Sequence, residues 1–274
     1  LNRIFRTKAI QNFCSIFDPA VSGGRIDGSC RHRRARRNKA PGGCARPEVS
    51  GRSTQAAPML SLILAAVFWV ALHLGAAGPL RPALVARLGE GGYRGLFSGL
   101  SAVGLVWLVL AYRGAPYVAL WPPAPFAMAA VLVFLGFLLL AYSLGPTNPT
   151  QVASERLGEG GLQVAGITRV TRHPMLWAFT LWALAHLLVN GHLAGLLLFG
   201  AILVTALNGM VSIDRKRAAS LGAAWGDFAR RTSRLPFAAI LAGRSELNLG
   251  ELASWRLGLG VALFIAALWL HGFL

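Results

Sequence analysis

Six runs of apolar residues punctuate the chain, at roughly 59 to 77, 95 to 113, 125 to 145, 174 to 190, 193 to 212 and 255 to 273. A bilayer core takes about 20 apolar residues per helix, with somewhat shorter stretches tolerated. The pattern therefore predicts an all-α, polytopic membrane helix bundle with about six transmembrane helices. Only Asn190-Gly191-His192 separates the fourth run from the fifth, which forces an antiparallel hairpin, and Trp121-Pro122-Pro123-Ala124-Pro125 breaks the chain before the third. No internal repeat stands out. The fourth run opens on Arg172-His173-Pro174. Proline in a first helical turn loses no hydrogen bond, and the residue before it is pushed out of helical geometry. Arg172 and His173 are thus placed on the rim of a helix, where unpaired amides and the positive dipole end suit an anionic headgroup, carboxylate or propionate. Arg172 serving only as an anchor at the lipid headgroups is the simpler alternative.

Composition supports the membrane assignment: 55% of the residues are hydrophobic and only 14% are charged, a balance foreign to soluble domains of this length. The net charge of +17 does not point to nucleic acid, because membrane proteins gather basic residues in cytoplasmic loops for topological reasons. Twelve of the 27 Lys and Arg residues lie in residues 1 to 58, including the run Arg31-His32-Arg33-Arg34-Ala35-Arg36-Arg37. That segment has no apolar periodicity and is expected to be disordered. Met59 directly precedes a clean apolar helix, so residues 1 to 58 are read as translated upstream sequence, with a basic targeting extension as the alternative. Cys14, Cys30 and Cys44 all lie there, at spacings that match no zinc pattern.

Basic residues fall in alternate loops. Arg81, Arg87 and Arg94 are in the first, Arg156, Arg169 and Arg172 in the third, and Arg215, Lys216, Arg217, Arg230, Arg231 and Arg234 in the fifth. The positive-inside rule then makes the odd loops cytoplasmic and puts the mature termini in the periplasm of a bacterial inner membrane. The long fifth loop carries Trp225, Phe228 and Leu235 among its charges, a composition that suits an amphipathic surface helix.

Ionisable groups inside hydrocarbon are costly and so are functional candidates. His73, His173 and His186 qualify, and Asn208 adds a polar side chain near the depth of His73 and His173. His192 and His271 are read as interfacial. Thirteen residues separate His173 from His186, about 20 Å along a helix and on roughly opposite faces, so these two cannot share one metal ion. Depth alone favours pairing His73 with His173. Two histidines from different helices of a bundle can hold a haem, while a plain interhelical hydrogen bond is the structural alternative for each. No carboxylate lies within a span, which weighs against proton pumping and a carboxylate-rich di-iron site.

Several pieces of the chain together resemble the NnrU family of bacterial membrane proteins, linked to nitrite and nitric oxide reduction, and the related zeta-carotene isomerases. They are Ala71-Leu72-His73, the stretch Leu84 to Arg94, Gly166 to Pro174, Ala185-His186 to Gly191, and Ser212 to Arg217 continuing through Leu221-Gly222, Trp225 and Leu235-Pro236-Phe237. The resemblance covers nearly all of Met59 to Leu274. It implies a haem b held by histidines matching His73 and His186, against the depth argument for His173, and a lipophilic polyene as substrate. The isomerases carry a cysteine in the helix of His186 where this chain has Ala183, which departs from any thiolate ligand switch. The Arg-His-Pro helix start is more distantly similar to isoprenylcysteine carboxyl methyltransferases and phospholipid methyltransferases. That likeness implies S-adenosylmethionine near Arg172, His173 and Asp214, although Met175-Leu176 and a nearly solitary Asp214 depart from the pattern. Three classes follow: a haem-binding NnrU-type protein, a lipid methyltransferase, and a non-catalytic membrane partner of another complex.

Overall fold

The computed structural model describes residues 52–144, 150 and 162–273. Most of the basic extension, with its Arg31 to Arg37 run and three cysteines, lies outside the described residues, as does Arg156. The chain forms α1 (Arg52–Ala71), a π-helical turn (Leu72–Ala76), α2 (Arg81–Gly114), α3 (Phe126–Ser143), the short α4 (Ile167–Val170), α5 (Pro174–Val189), α6 (Leu193–Arg231), the short α7 (Ala238–Leu241) and α8 (Leu249–Leu252), and α9 (Trp255–Phe273). Every predicted span has its helix. Five of them, α1, α2, α3, α6 and α9, are long and apolar enough to cross a membrane, whereas α5 is apolar but has only 16 residues. Its ends are set by Pro174 at the first turn and by Asn190, which leaves helical geometry.

Three boundaries differ from the sequence reading. Helix α1 starts at Arg52, ahead of Met59, and takes Pro58 inside it. The first basic loop is largely helical, because α2 begins at Arg81 and continues past a break at Gly89 (φ 69°, ψ 165°). The fifth loop is a continuation of α6, kinked at Gly222 (φ 51°, ψ −124°) and helical to Arg231. Both glycines adopt backbone angles that L side chains resist, so each redirects a helix without ending it. The segment with Trp225 and Phe228 does form a helix, and both aromatics are buried rather than laid on a surface.

The helices pack side by side in the order α2, α1, α6, α5, α3, α9. Lipid supplies no hydrophobic driving force between helices, so close approach depends on small residues. Accordingly Ala65, Ala183 and Ala194 are fully buried beside Leu62, Leu108 and Phe199, and at Gly136 an added Cβ would stand 3.2 Å from the Ala178 carbonyl of α5. The Asn190-Gly191-His192 hairpin is clamped by the segment before α3. The amides of Leu120 and Trp121 both donate to the Gly191 carbonyl, at 2.8 and 3.1 Å, and Leu193 donates to Val118 at 2.8 Å. His192, read as interfacial, is buried and caps α6: its Nδ1 accepts the Gly195 amide at 3.1 Å.

Candidate functional site

Between these helices lies a cavity of about 570 Å³, walled by α1 with its π-turn, α2, α3, α5 and α6. Trp69 and His73 come from α1 and its π-turn, Leu105 from α2, Phe137 from α3, Trp182 from α5 and Thr205 from α6. The lining is almost wholly apolar. Leu105 and Phe179, both on its wall, are substantially exposed at membrane depth, so the cavity opens sideways to lipid.

His73 is fixed by its own helix. Its Nδ1 lies 2.9 Å from the carbonyl oxygen of Trp69, and its ring packs 4.1 Å from that indole. A carbonyl can only accept, so Nδ1 carries the hydrogen and Nε2 holds the free pair. Trp69 is held in turn by its indole N–H, which donates to Thr205 Oγ1 at 3.2 Å. The π-turn that carries His73 is stabilised from outside: the Tyr93 hydroxyl donates to the Ala76 carbonyl at 3.2 Å, and the Lys216 ammonium donates to that of Ala77. Single π-turns of this kind are often found at functional positions.

His186 repeats the device. Its Nδ1 meets the Trp182 carbonyl at 2.8 Å, and the two rings lie 4.4 Å apart. The chain thus contains Trp-x-x-x-His twice, at Trp69/His73 and Trp182/His186. The sequence reading missed this repeat, although a spacing of four on one helical face was the signal for it. His186 lines a separate, smaller cavity of about 50 Å³ between α3, α5 and α9, and Val133, Phe137 and Trp182 form the partition between the two spaces. His73 and His186 therefore flank Trp182 without sharing a cavity as folded.

Arg172 and His173 are brought together elsewhere, at the basic end, on Asp214 of α6. Arg172 donates through Nε and Nη2 to the carboxylate at 3.0 and 2.7 Å, and Arg234 Nε approaches it at 3.0 Å. His173 Nε2 lies 2.8 Å from Asp214 Oδ1. A carboxylate is also an acceptor, so here Nε2 carries the hydrogen, while Nδ1 is buried with no hydrogen-bond partner among the described residues. Burial pushes His173 below its ordinary pKa, against the upward pull of the Asp214 hydrogen bond. Asp214 lies beyond the apolar stretch of α6; burial would raise it, but the hydrogen bonds from His173 and Arg172 outweigh that and hold it down to about 2. The arrangement is a neutral imidazole and two guanidiniums gathered on one ionised carboxylate. Asn208 is half-buried on α6, just beyond Ala206 of the large cavity's wall. Among the described residues no group of three or more His, Cys, Asp or Glu is placed to hold a metal ion.

These features define a polytopic membrane protein built around a lipid-accessible apolar cavity with one tautomer-fixed imidazole on its wall. The chain belongs to the NnrU family, whose pattern, described as NnrU protein, matches residues 61–274. Among its curated relatives are two proteins named 15-cis-zeta-carotene isomerase, chloroplastic. That of Arabidopsis thaliana is 31% identical over 205 residues, covering 73% of this chain and 54% of its own. That of Zea mays is 28% identical over 190 residues, covering 68% and 52%. The chain spans about half the length of these relatives. No solved structure matches.

Proposed function

We propose that this protein isomerises a long lipophilic polyene drawn from the bilayer, with a haem b held at His73. The observation that carries the reading is the apolar cavity of about 570 Å³ with His73 on its wall, its Nε2 pair left for a metal by the Trp69 carbonyl. A metal-binding imidazole ordinarily has its other nitrogen tied to a carbonyl or carboxylate in this way. The names of the Arabidopsis and maize relatives point to the same substrate class. His173 also keeps one ring nitrogen without a partner, but that Nδ1 is buried and the residue does not line the large cavity, so it is not placed to hold the same group as His73. His186 is the second residue that would hold the group, and sharing it with His73 would require the Trp182 ring to leave the partition.

When bound, haem would supply an iron centre able to engage a double bond and lower its barrier to rotation. The chain's own residues do the rest. Leu105, Phe137 and Phe179 lay the polyene in a water-free slot, and Trp69 with Thr205 fixes the imidazole plane against the cavity. Entry between exposed wall residues lets the substrate pass from lipid to the site without crossing water.

The test is an absorption spectrum of the detergent-purified full chain, oxidised and then reduced with dithionite, followed by incubation with a cis polyene and chromatographic separation of isomers. A Soret band near one haem per chain, lost in His73→Ala together with isomerisation, is the expected result. A colourless protein from cells with plentiful haem would overturn the cofactor assignment, and a haem-loaded protein that leaves the polyene unchanged would overturn the substrate.

A further inference from the structure

A second sizeable cleft, of about 520 Å³, lies at the basic end between the start of α5, the end of the apolar part of α6, and the segment around α7. Its lining mixes two chemistries. Leu207, Met210 and Val211 of α6 supply apolar surface, and Arg234 and Arg244, from the segment around α7, supply cations. Arg234 gives Nε to Asp214, and Arg244 gives Nη1 to the carbonyls of Arg230 and Thr232. Each guanidinium has five N–H donors, so both retain donors for another partner. With Arg172 also on the wall, the cleft carries three cations, of which Arg172 and Arg234 are bonded to Asp214 while Arg244 is bonded only to backbone carbonyls.

The surroundings place this cleft at the edge of the bilayer. Leu235, Phe237 and Leu241 are 63%, 48% and 86% exposed beside it, an apolar rim that water would not favour. Phe237 is also the one non-glycine residue with a left-handed backbone among the described residues, at φ 63°. Such a conformation costs free energy and persists only where the surroundings fix it. Here the Phe237 amide donates to the Val170 carbonyl at 2.9 Å, and the Ser233 hydroxyl joins the Leu235 carbonyl to the Ala239 amide at 2.7 and 3.0 Å. A strained turn held in this manner keeps an aromatic side chain half exposed, one residue before Ala238 of the cleft wall.

We propose that the cleft is a binding site for an anionic phospholipid, with the phosphate held by Arg234 and Arg244 and the first acyl carbons lying on Leu207, Met210 and Val211. A soluble phosphate ester would satisfy the guanidiniums and leave the apolar surface without a partner, so charge and surface together favour the lipid. The site is separate from the His73 cavity and does not depend on what that cavity binds.

The full chain, delipidated in detergent, would be titrated with phosphatidylglycerol, phosphatidylcholine and glycerol 3-phosphate, and bound lipid counted by native mass spectrometry. One phosphatidylglycerol should bind at least about tenfold more tightly than phosphatidylcholine, since each basic residue near an anionic headgroup contributes about fivefold. Arg244→Gln should remove most of that preference, and Val211→Trp, which fills the apolar part, should weaken both lipids while leaving the thermal midpoint near wild type. Equal binding of the two lipids, or an unchanged preference in Arg244→Gln, would overturn the proposal. Displacement of bound phosphatidylglycerol by millimolar glycerol 3-phosphate would also overturn it, in favour of a soluble phosphate ligand.

Discussion

Replacing Asp214 by alanine should be among the most damaging single substitutions in this protein. Asp214 carries three partners: Arg172 at 2.7 Å, His173 at 2.8 Å and Arg234 at 3.0 Å. Arg234 is about half exposed and can turn to water, so its loss costs little. The Arg172 side chain is only 9% exposed, and its remaining bonds are to the Thr232 and Ala229 carbonyls at 3.3 and 3.5 Å. Removing the carboxylate leaves that cation buried without a counter-charge, which costs about 3–5 kcal/mol. At about 2–4 °C per kcal/mol for chains of this size, the thermal midpoint in detergent should fall by about 6–20 °C. A second variant separates charge from packing. In Arg172→Met/Asp214→Leu the buried charges are gone together, and much of the loss should be recovered, because apolar replacements of whole ion pairs are often neutral. A midpoint for Asp214→Ala within about 2 °C of wild type would refute the argument, as would a double variant no better than the single one.

Three further outcomes follow from the same structure. Glu251 is held down to about 2 by the two-pronged hydrogen bond from Arg169, at 2.8 Å to each oxygen, and by the Gly166 amide. Because its folded value is below its ordinary one, the stabilisation is full above about pH 4.5 and fades as pH falls toward 2; amide protection in residues 163–170 and 249–252, corrected for the intrinsic pH dependence of exchange, should fall at pH 3 relative to pH 6 before that of α5 and α6. Gly89→Ala should lower the thermal midpoint, since φ 69° costs a side chain about 1–3 kcal/mol although nothing lies within 4 Å of the added Cβ. Gly99→Ala, in equally open space within regular α2, should change it in the opposite direction.

The spans were legible in the sequence because apolar runs must be helical in lipid, where no water can satisfy the backbone. The breaks were less so. Gly89 and Gly222 each turn a helix without ending it, and a lone glycine in a polar stretch reads equally well as a loop. At the site, the rim position of Arg172 and His173 followed from Pro174 alone. Their meeting with Asp214 did not, because 41 residues separate His173 from that carboxylate and only the packing of α5 on α6 closes the gap. The partition by Trp182 was invisible for the same reason: it depends on which face α3 presents to α5. The Trp-x-x-x-His pairs stood in the sequence from the start and carry their meaning only once each histidine is seen bonded to the tryptophan four residues behind it.

The two ends of the bundle are fastened by different forces. At the hairpin end, Leu120, Trp121 and Leu193 tie the chain with backbone hydrogen bonds, and Gly191 is pressed so close that an added Cβ would stand 1.9 Å from the Trp121 carbonyl. At the other end, the fastenings are Asp214 with its cations, Glu251 with Arg169, and Glu90 with Arg81 and Arg94. Backbone bonds are indifferent to salt, whereas the partly exposed Glu90 and Glu251 pairs are screened by it and the buried Arg172–Asp214 pair much less. Loosening of this molecule is therefore directional. High salt should loosen the end that carries Glu90 and Glu251 first, while the backbone-tied hairpin end keeps its helices in register.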